Sequence, residues 1–343
     1  MRTLLSVAFA FSIVCLICLV FGENPFLVFK IVGTSFLTSK YDLGLTLYYT
    51  TCFIFTGLAV AIPLRAGLFN IGGEGQLTIG TFVTAALGAY FSRHANEAGF
   101  HHYLLLLIVG PLTGALFGFI AGFLKAARGA HEVIVTMMLN FIAAGIASYG
   151  TLRFFQNSDS QSPETSVITA PFQFISFGET PASPAFILAI LSVLAMWWLM
   201  KETVLGFDAK VIAWGGRLAA RNGVPEGKVI TILLTLGGFF AGAVGWAEAL
   251  GNAHQFRLGF SADYGFMGIA VALLAGPRIW TLIPSAFFFA ILHKGAADLD
   301  METQVFNRDF SKILQAVFII SLSAPALWQW LKPRLKMKGA ANG

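Results

Sequence analysis

RAGLFNIGGEGQLTIG, residues 65–80, places glycines at 67, 72, 73 and 75 and three polar side chains, Asn70, Glu74 and Gln76, between two long apolar runs. A helix facing lipid would not carry this composition. Glycine loosens a helix, and a carboxylate at bilayer depth costs at least about 2.5 kcal/mol. Backbone that leaves the helix there survives only where protein buries it or where it lines a watery cavity. The stretch therefore predicts a broken or re-entrant segment near 65–76, with Asn70, Glu74 and Gln76 lining or framing a solute path. The competing reading is an ordinary loop after a helix end.

Outward from that stretch, the 343 residues are 57% hydrophobic and 11% charged, with mean hydropathy +0.75. Soluble domains carry about 25% charged residues. The apolar runs are continuous and long enough to cross a hydrocarbon core of roughly 30 Å, and they lack the alternation of a β-barrel. The expected fold is all-α: one polytopic helical membrane domain over 1–343 with about ten transmembrane helices. The spans fall at 4–21, 46–64, 76–91, 103–124, 133–152, 184–200, 229–250, 264–276, 280–297 and 313–331. The eighth is short, and 23–45 is amphipathic and unassigned. The first resembles a signal peptide without a convincing cleavage site and reads as an uncleaved helix. Cys15, Cys18 and Cys52 lie in apolar runs, where small apolar packing is expected rather than redox chemistry.

Basic residues set the orientation. With the N-terminus inside, fourteen of the 22 Lys and Arg fall on the inner side, and 12 of the 17 acids fall outside. Both termini are then cytoplasmic, 153–183 and 298–311 are external, and 201–228 is the longest internal connection. The net charge of +5 is a membrane-topology signal and not a nucleic-acid signal.

Catalytic signatures do not occur. The chain lacks a G-x-x-x-x-G-K-[ST] loop; His131-Glu132 lacks the second histidine of H-E-x-x-H, position 135 being Val; and the adjacent His101 and His102, placed in a short external loop, do not make a metal site. Gly110, Gly114, Gly118 and Gly122 form a stripe at helical spacing, as do Gly238, Gly242 and Gly245. Such stripes let helices approach closely. Among polar residues within spans, Glu132 lies near Lys125 and Arg128, where a structural pair is expected. Asn140 shares its helical face about 12 Å further along the axis and suits a hydrogen bond to a solute or a neighbouring helix. Glu248, His254, Asp263, His293 and Lys294 are further candidates.

Three stretches, GLFNIGGEGQ (67–76), EVIVTMMLN (132–140) and YGFMGIAVALL (264–274), resemble the permease subunits of bacterial ABC importers. The family is the one shared by branched-chain amino acid, ribose-type sugar and nucleoside importers. The form of the first stretch is most similar to the nucleoside and simple-sugar permeases, and the match covers roughly 45–330. The resemblance implies a partner ABC ATPase that binds the ATP, with no cofactor on this chain. It also implies a second, homologous permease subunit, an external solute-binding lipoprotein and a place in the bacterial inner membrane. VIAWGGRLAARNGV (211–224) is similar to the family's cytoplasmic coupling segment through Gly215, Ala219, Ala220, Arg221 and Gly223. The small alanines allow close seating, and Arg217 and Arg221, four apart, can pair with a partner's carboxylates. The segment departs from the family pattern in lacking an Asn-Pro before Ala-Ala-Arg, and Gly276-Pro277-Arg278 stands where relatives carry Asn-Pro-x-Gly. The implied function is inward movement of a nucleoside or related ribose- or sugar-type solute by alternating access. A stand-alone secondary transporter or channel is the alternative, and it would favour buried Asp, Glu and His relays.

Overall fold

The computed structural model describes residues 2–93, 99–158 and 160–302, with 313, 316 and 317; the predicted tenth span at 313–331 and the basic tail lie almost wholly outside them. The chain runs through α1 (Arg2–Val20), α2 (Pro25–Thr34), α3 (Lys40–Leu64), α4 (Gly73–Arg93), α5 (Phe100–Arg128) and α6 (Glu132–Gly150). It continues through α7 (Ala185–Glu202), α8 (Val204–Trp214), α9 (Gly216–Arg221), α10 (Glu226–Gly242), α11 (Tyr264–Ala275) and α12 (Leu282–Glu302). Wide π-type turns extend α6 through Phe155 and re-form the α10 path over Trp246–Asn252. Among the described residues there is no strand, only isolated bridges pairing Gln156 with Thr165 and Glu164 with Arg257.

Each of the first nine predicted spans falls on a helix. Six helices, counting those wide turns, are long and apolar enough to cross a membrane by themselves: Lys40–Leu64, Phe100–Arg128, Glu132–Phe155, Ala185–Glu202, Glu226–Asn252 and Ile279–Glu302. α4 is long enough but more polar. It packs on α5, α6, α10 and α11, so little of it needs to suit lipid, and the hydroxyls of Thr78 and Thr84 bond carbonyls one turn back. α11 is only 12 residues long, and the Gly276–Arg278 turn keeps it separate from α12. The structure fills in two segments that the sequence left open or only partly described, and it moves one pair of residues. The 23–45 segment is helical, forming α2 and the start of α3. The 201–228 connection is built from α8 and α9. His101 and His102 lie in the first turn of α5, where His102 Nδ1 accepts a hydrogen bond from the Gly99 amide at 3.1 Å.

The chain divides into two compact units, one of residues 1–43 with 288–343 and one of residues 44–287. In the first, Gly295 of α12 lies against Val32 of α2, so closely that a Cβ there would sit 2.7 Å from the Val32 Cα. Lys294 is buried between Asp42 and Asp298, at 2.8 and 2.6 Å, which compensates a cation that would otherwise be costly inside a bundle.

The second unit is organised on the contact of α5 with α10. The two glycine stripes read from the sequence face each other. A Cβ on Gly114 would lie 2.3 Å from the Gly238 carbonyl oxygen, and one on Gly118 would lie 2.2 Å from that of Leu234. In lipid, close backbone packing of this kind replaces the hydrophobic drive that holds soluble helices together. Lys125 Nζ at the end of α5 pairs with Glu132 Oε2 at the start of α6 at 2.7 Å, the structural pair expected from the sequence. Gly114→Ala should therefore overpack the α5–α10 seam and lower stability by about 1–3 kcal/mol. Gly145→Ala, where a Cβ meets nothing within 4 Å, should leave the melting temperature unchanged. Thermal unfolding of the two variants in detergent checks this, and equal melting temperatures would refute the seam.

Candidate functional site

The site grows out of the end of α3. Pro63 lies in its last turn and has no N–H, so the carbonyl of Ala59 loses its helical donor. The chain then turns sharply. The Leu68 amide bonds back to Pro63 O at 3.2 Å, and Gly67 takes φ +74°, a conformation few other residues adopt. Residues 68–71 carry no regular structure and run back beside α3, and α4 starts at Gly73. Asn70, fully buried, donates from Nδ2 to the orphaned Ala59 oxygen at 3.1 Å. It exchanges two further hydrogen bonds with the Gln76 amide, at 3.0 and 3.3 Å, and its Oδ1 accepts from the Gly72 amide at 3.1 Å. The non-helical stretch is thus satisfied by its own side chains, as backbone away from water requires.

Asn140 of α6 clamps the other side of the break. Its Nδ2 donates to the Ile71 carbonyl at 3.0 Å, and its Oδ1 accepts from the Gly75 amide at 2.8 Å. That approach needs glycine at 75, because a Cβ would lie 2.6 Å from the Asn140 Cα. Glu74 reaches a different helix: its Oε2 accepts from the Gly265 amide at 2.8 Å. The carboxylate therefore sits at the N-terminal end of α11, where backbone amides lack partners and negative charge is favoured. This is an anchoring role, played toward an amide of α11 and not of Glu74's own helix.

Glu74 and Asn140 then border a cavity of about 220 Å³, closed on its other side by Phe256, Phe260 and Ser261. Asn70 and Gln76 do not face it; they frame the backbone beside it. Asn140 lies eight residues into α6, about 12 Å along its axis, which is close to mid-depth in a core of roughly 30 Å. The two phenylalanines carried no sequence signal, since QFRLGF reads as a loop with apolar residues.

The loop bearing those phenylalanines is held by the 153–183 segment. Thr165, Ile168 and Phe174 donate amides to Phe256, His254 and Leu250 at 2.9, 2.7 and 2.8 Å. Glu164 accepts from Gln255 Nε2 at 3.0 Å and from Arg257 Nε at 2.9 Å. Hydrogen bonds from Ser160 and then the Arg257 guanidinium hold its carboxyl below the usual range. Glu248, in the π-type turn, is buried and bonded by Tyr48 Oη and Asn252 Nδ2.

The residues of the expected coupling segment lie elsewhere in the same unit. Gly215 (φ +131°) and Gly223 (φ +68°) bound α9, and the Val224 amide closes it on Ala219 O at 3.0 Å. Arg217, Ala220 and Arg221 are exposed. Ala219 is fully buried, so it seats α9 on its own chain and only Ala220 keeps the outward role expected of both.

The family model for branched-chain amino acid transport system / permease component matches residues 43–322. The chain is 31% identical over 329 residues to the guanosine ABC transporter permease protein NupP of Bacillus subtilis, covering 95% of this chain and 93% of that protein. It is 27% identical to the nucleoside ABC transporter permease protein NupB of Lactococcus lactis, over 97% of this chain and 93% of the relative. It is 28% identical to the glucose ABC transporter permease protein TsgB13 of Haloferax volcanii, over 87% of this chain and 80% of the relative.

Asn70→Leu leaves the Ala59 carbonyl and the Gln76 amide without partners and should lower stability by about 1–3 kcal/mol per lost partner. Detergent melting curves check it, and a wild-type curve would remove Asn70 from the framing of the break.

Proposed function

The chain belongs to the branched-chain amino acid transport system permease family, and on that premise we propose that it is the membrane-spanning permease of an ATP-driven importer for a nucleoside or related ribose- or sugar-type solute. The cavity at Glu74 and Asn140 is the observation that carries the solute class. Phe260, packed edge-to-face on the buried Phe256, offers an apolar surface to a base or a sugar face, while the amide and carboxylate offer acceptors and donors to hydroxyls. The nucleoside and glucose permeases among its relatives support that class. Asn70 and Gln76 keep the backbone of the path in place, and Glu74 both anchors α11 and touches the solute.

The chain itself does no bond-making chemistry in this proposal. ATP is bound and hydrolysed by a separate ABC ATPase, and a homologous second permease subunit completes the passage. An external binding lipoprotein delivers the solute. The protein sits in the bacterial inner membrane with both termini cytoplasmic, 153–183 outside and 201–228 inside. Single-cysteine labelling by an impermeant reagent should mark position 160 and spare 217 in intact cells; the reverse pattern overturns the orientation. A stand-alone transporter driven by an ion gradient is the competing reading. Support for the ATP-driven one is the match to ABC permeases over nearly the whole chain.

Uptake of labelled guanosine by the complete system in vesicles tests the solute path. Phe260→Ala should raise the KM several-fold, in line with the roughly 1–3 kcal/mol that stacking on one aromatic ring is worth. Glu74→Gln should shift selectivity while lowering stability modestly. Uptake indifferent to both changes would take the path away from this cavity.

Gly215, Arg217, Ala220, Arg221 and Gly223, with Ala219 beneath them, form the proposed seat for the ATPase. Arg221→Glu reverses one charge on an exposed helix and should leave the fold intact. ATP hydrolysis is expected to continue while uptake falls at least tenfold; unchanged uptake per ATP hydrolysed would remove the coupling assignment.

A further inference from the structure

Two neighbouring cavities in the second unit share a cationic wall. One, of about 260 Å³, is bordered by Arg65, Lys201, Lys210 and Arg278 with Trp197 and Trp280. The other, of about 330 Å³, shares Arg65, Lys210 and Pro277 with it but is otherwise lined by apolar groups, Ala61, Leu64, Ala272 and Leu273 among them. These residues come from the last turns of α3, α7 and α11, from the turn after α11, and from α8. Of these, α3 and α7 are long and apolar enough to cross a membrane, so their last turns lie where a span meets its boundary.

The charges there are not balanced by ion pairs among the described residues. Lys201 pairs with Glu202 at 2.9 Å and lies 5.1 Å from the Trp197 ring centre. Arg65, Lys210 and Arg278 have no ion-pair partner among the described residues. Arg65 is half-buried, and desolvation holds its guanidinium below the usual arginine range. Three like charges converging on one hollow repel one another, and a ligand with several anionic oxygens relieves that repulsion. The apolar cavity beside them adds a second requirement, which a free anion or an acidic protein side chain leaves unmet. Trp197, Trp214 and Trp280, all substantially exposed, stand around the pair as aromatic residues do at the headgroup level.

We propose that the joined cavities hold one anionic phospholipid, its headgroup phosphate against Arg65, Lys210 and Arg278 and the start of an acyl chain against Ala61, Leu64 and Leu273. Basic pockets between spans at the cytoplasmic boundary are suited to such headgroups. The site is separate from the solute cavity, and α8 connects it directly to the proposed coupling helix α9.

Native mass spectrometry of the intact transporter in mild detergent, with phosphatidylglycerol or phosphatidylcholine added, tests the site. Lys210→Gln with Arg278→Gln changes two exposed side chains, so the fold should hold. That pair is expected to weaken phosphatidylglycerol retention roughly tenfold or more, with phosphatidylcholine unaffected. Arg128→Gln with Lys228→Gln removes the same charge from exposed positions outside both cavities and should leave retention at the wild-type level. Equal loss in both pairs overturns the proposal in favour of general attraction between a basic surface and anionic lipid. Displacement of phosphatidylglycerol by inorganic phosphate at equal concentration overturns it in favour of a free-anion site. Unchanged lipid retention with loss of the copurifying ATPase overturns it in favour of a protein seat.

Discussion

The hydrogen bond from Asn70 to the carbonyl of Ala59 is the contact on which the centre of this protein depends. Pro63 makes it necessary, because proline cannot donate to the carbonyl four residues back. In a soluble protein water would satisfy that oxygen. Within a bilayer nothing else would, and each such group left alone costs several kcal/mol. The chain meets the requirement by turning at Gly67 and running back beside the helix it has just left. α10 closes on the same point: a Cβ on Gly237 would lie 2.6 Å from the Ala59 oxygen. The break in the backbone and the tight helix packing are therefore one solution and not two separate features.

From that point the cavity follows as a geometric consequence. A chain that re-enters the bundle starts α4 below the surface, with its first residues among α6 and α11. Asn140 bridges Ile71 and Gly75 and joins α6 to the break. Glu74 joins the break to the first turn of α11, and glycine at 265 is what lets that turn arrive, since a Cβ would lie 2.2 Å from the Glu74 amide. Three helices and an inward-reaching loop thus meet at one depth. The space they leave carries polar groups already held by backbone partners, so the walls are set before any solute enters. That economy suits a permease, in which tight binding would slow release.

The far side of the cavity is held by a segment distant in sequence. Phe256 and Phe260 sit on a loop whose support comes from amide bonds to the 153–183 segment and from the Glu164 clasp with Gln255 and Arg257. Glu164 and Gln255 are buried in this clasp, while Arg257 is exposed. Glu164's contribution is present above the ordinary carboxylate range and is lost as pH falls through its lowered value.

Much of this was written in one dimension. Continuous apolar runs specify spanning helices in any protein that must satisfy its backbone in lipid; nine of the ten expected spans fall on helices, and six helices are long and apolar enough to cross a membrane. The glycine stripes announced close packing because spacing by four puts small residues on one face. The polar, glycine-rich stretch at 65–76 announced a break because no lipid-facing helix tolerates it, and the family motifs singled out the segment that forms α9. What one dimension could not carry were choices made between distant residues. α4 was expected as a span at 76–91, but that it packs on α5, α6, α10 and α11, so that neighbours shield its polar groups, is decided only by the fold. Glu74's partner is 191 residues away on α11, so no local pattern named it. Phe256 and Phe260 entered the site because a loop folds inward under the hold of a segment ninety residues earlier. Asn70 and Gln76 were legible as polar residues in the right place, but only the fold shows that they bond each other while Glu74 and Asn140 face the cavity. Periodicity and composition determine which surfaces must be hidden; which hidden surfaces meet is decided by close approach in three dimensions, where a single Cβ at Gly75 or Gly265 would exclude the contact.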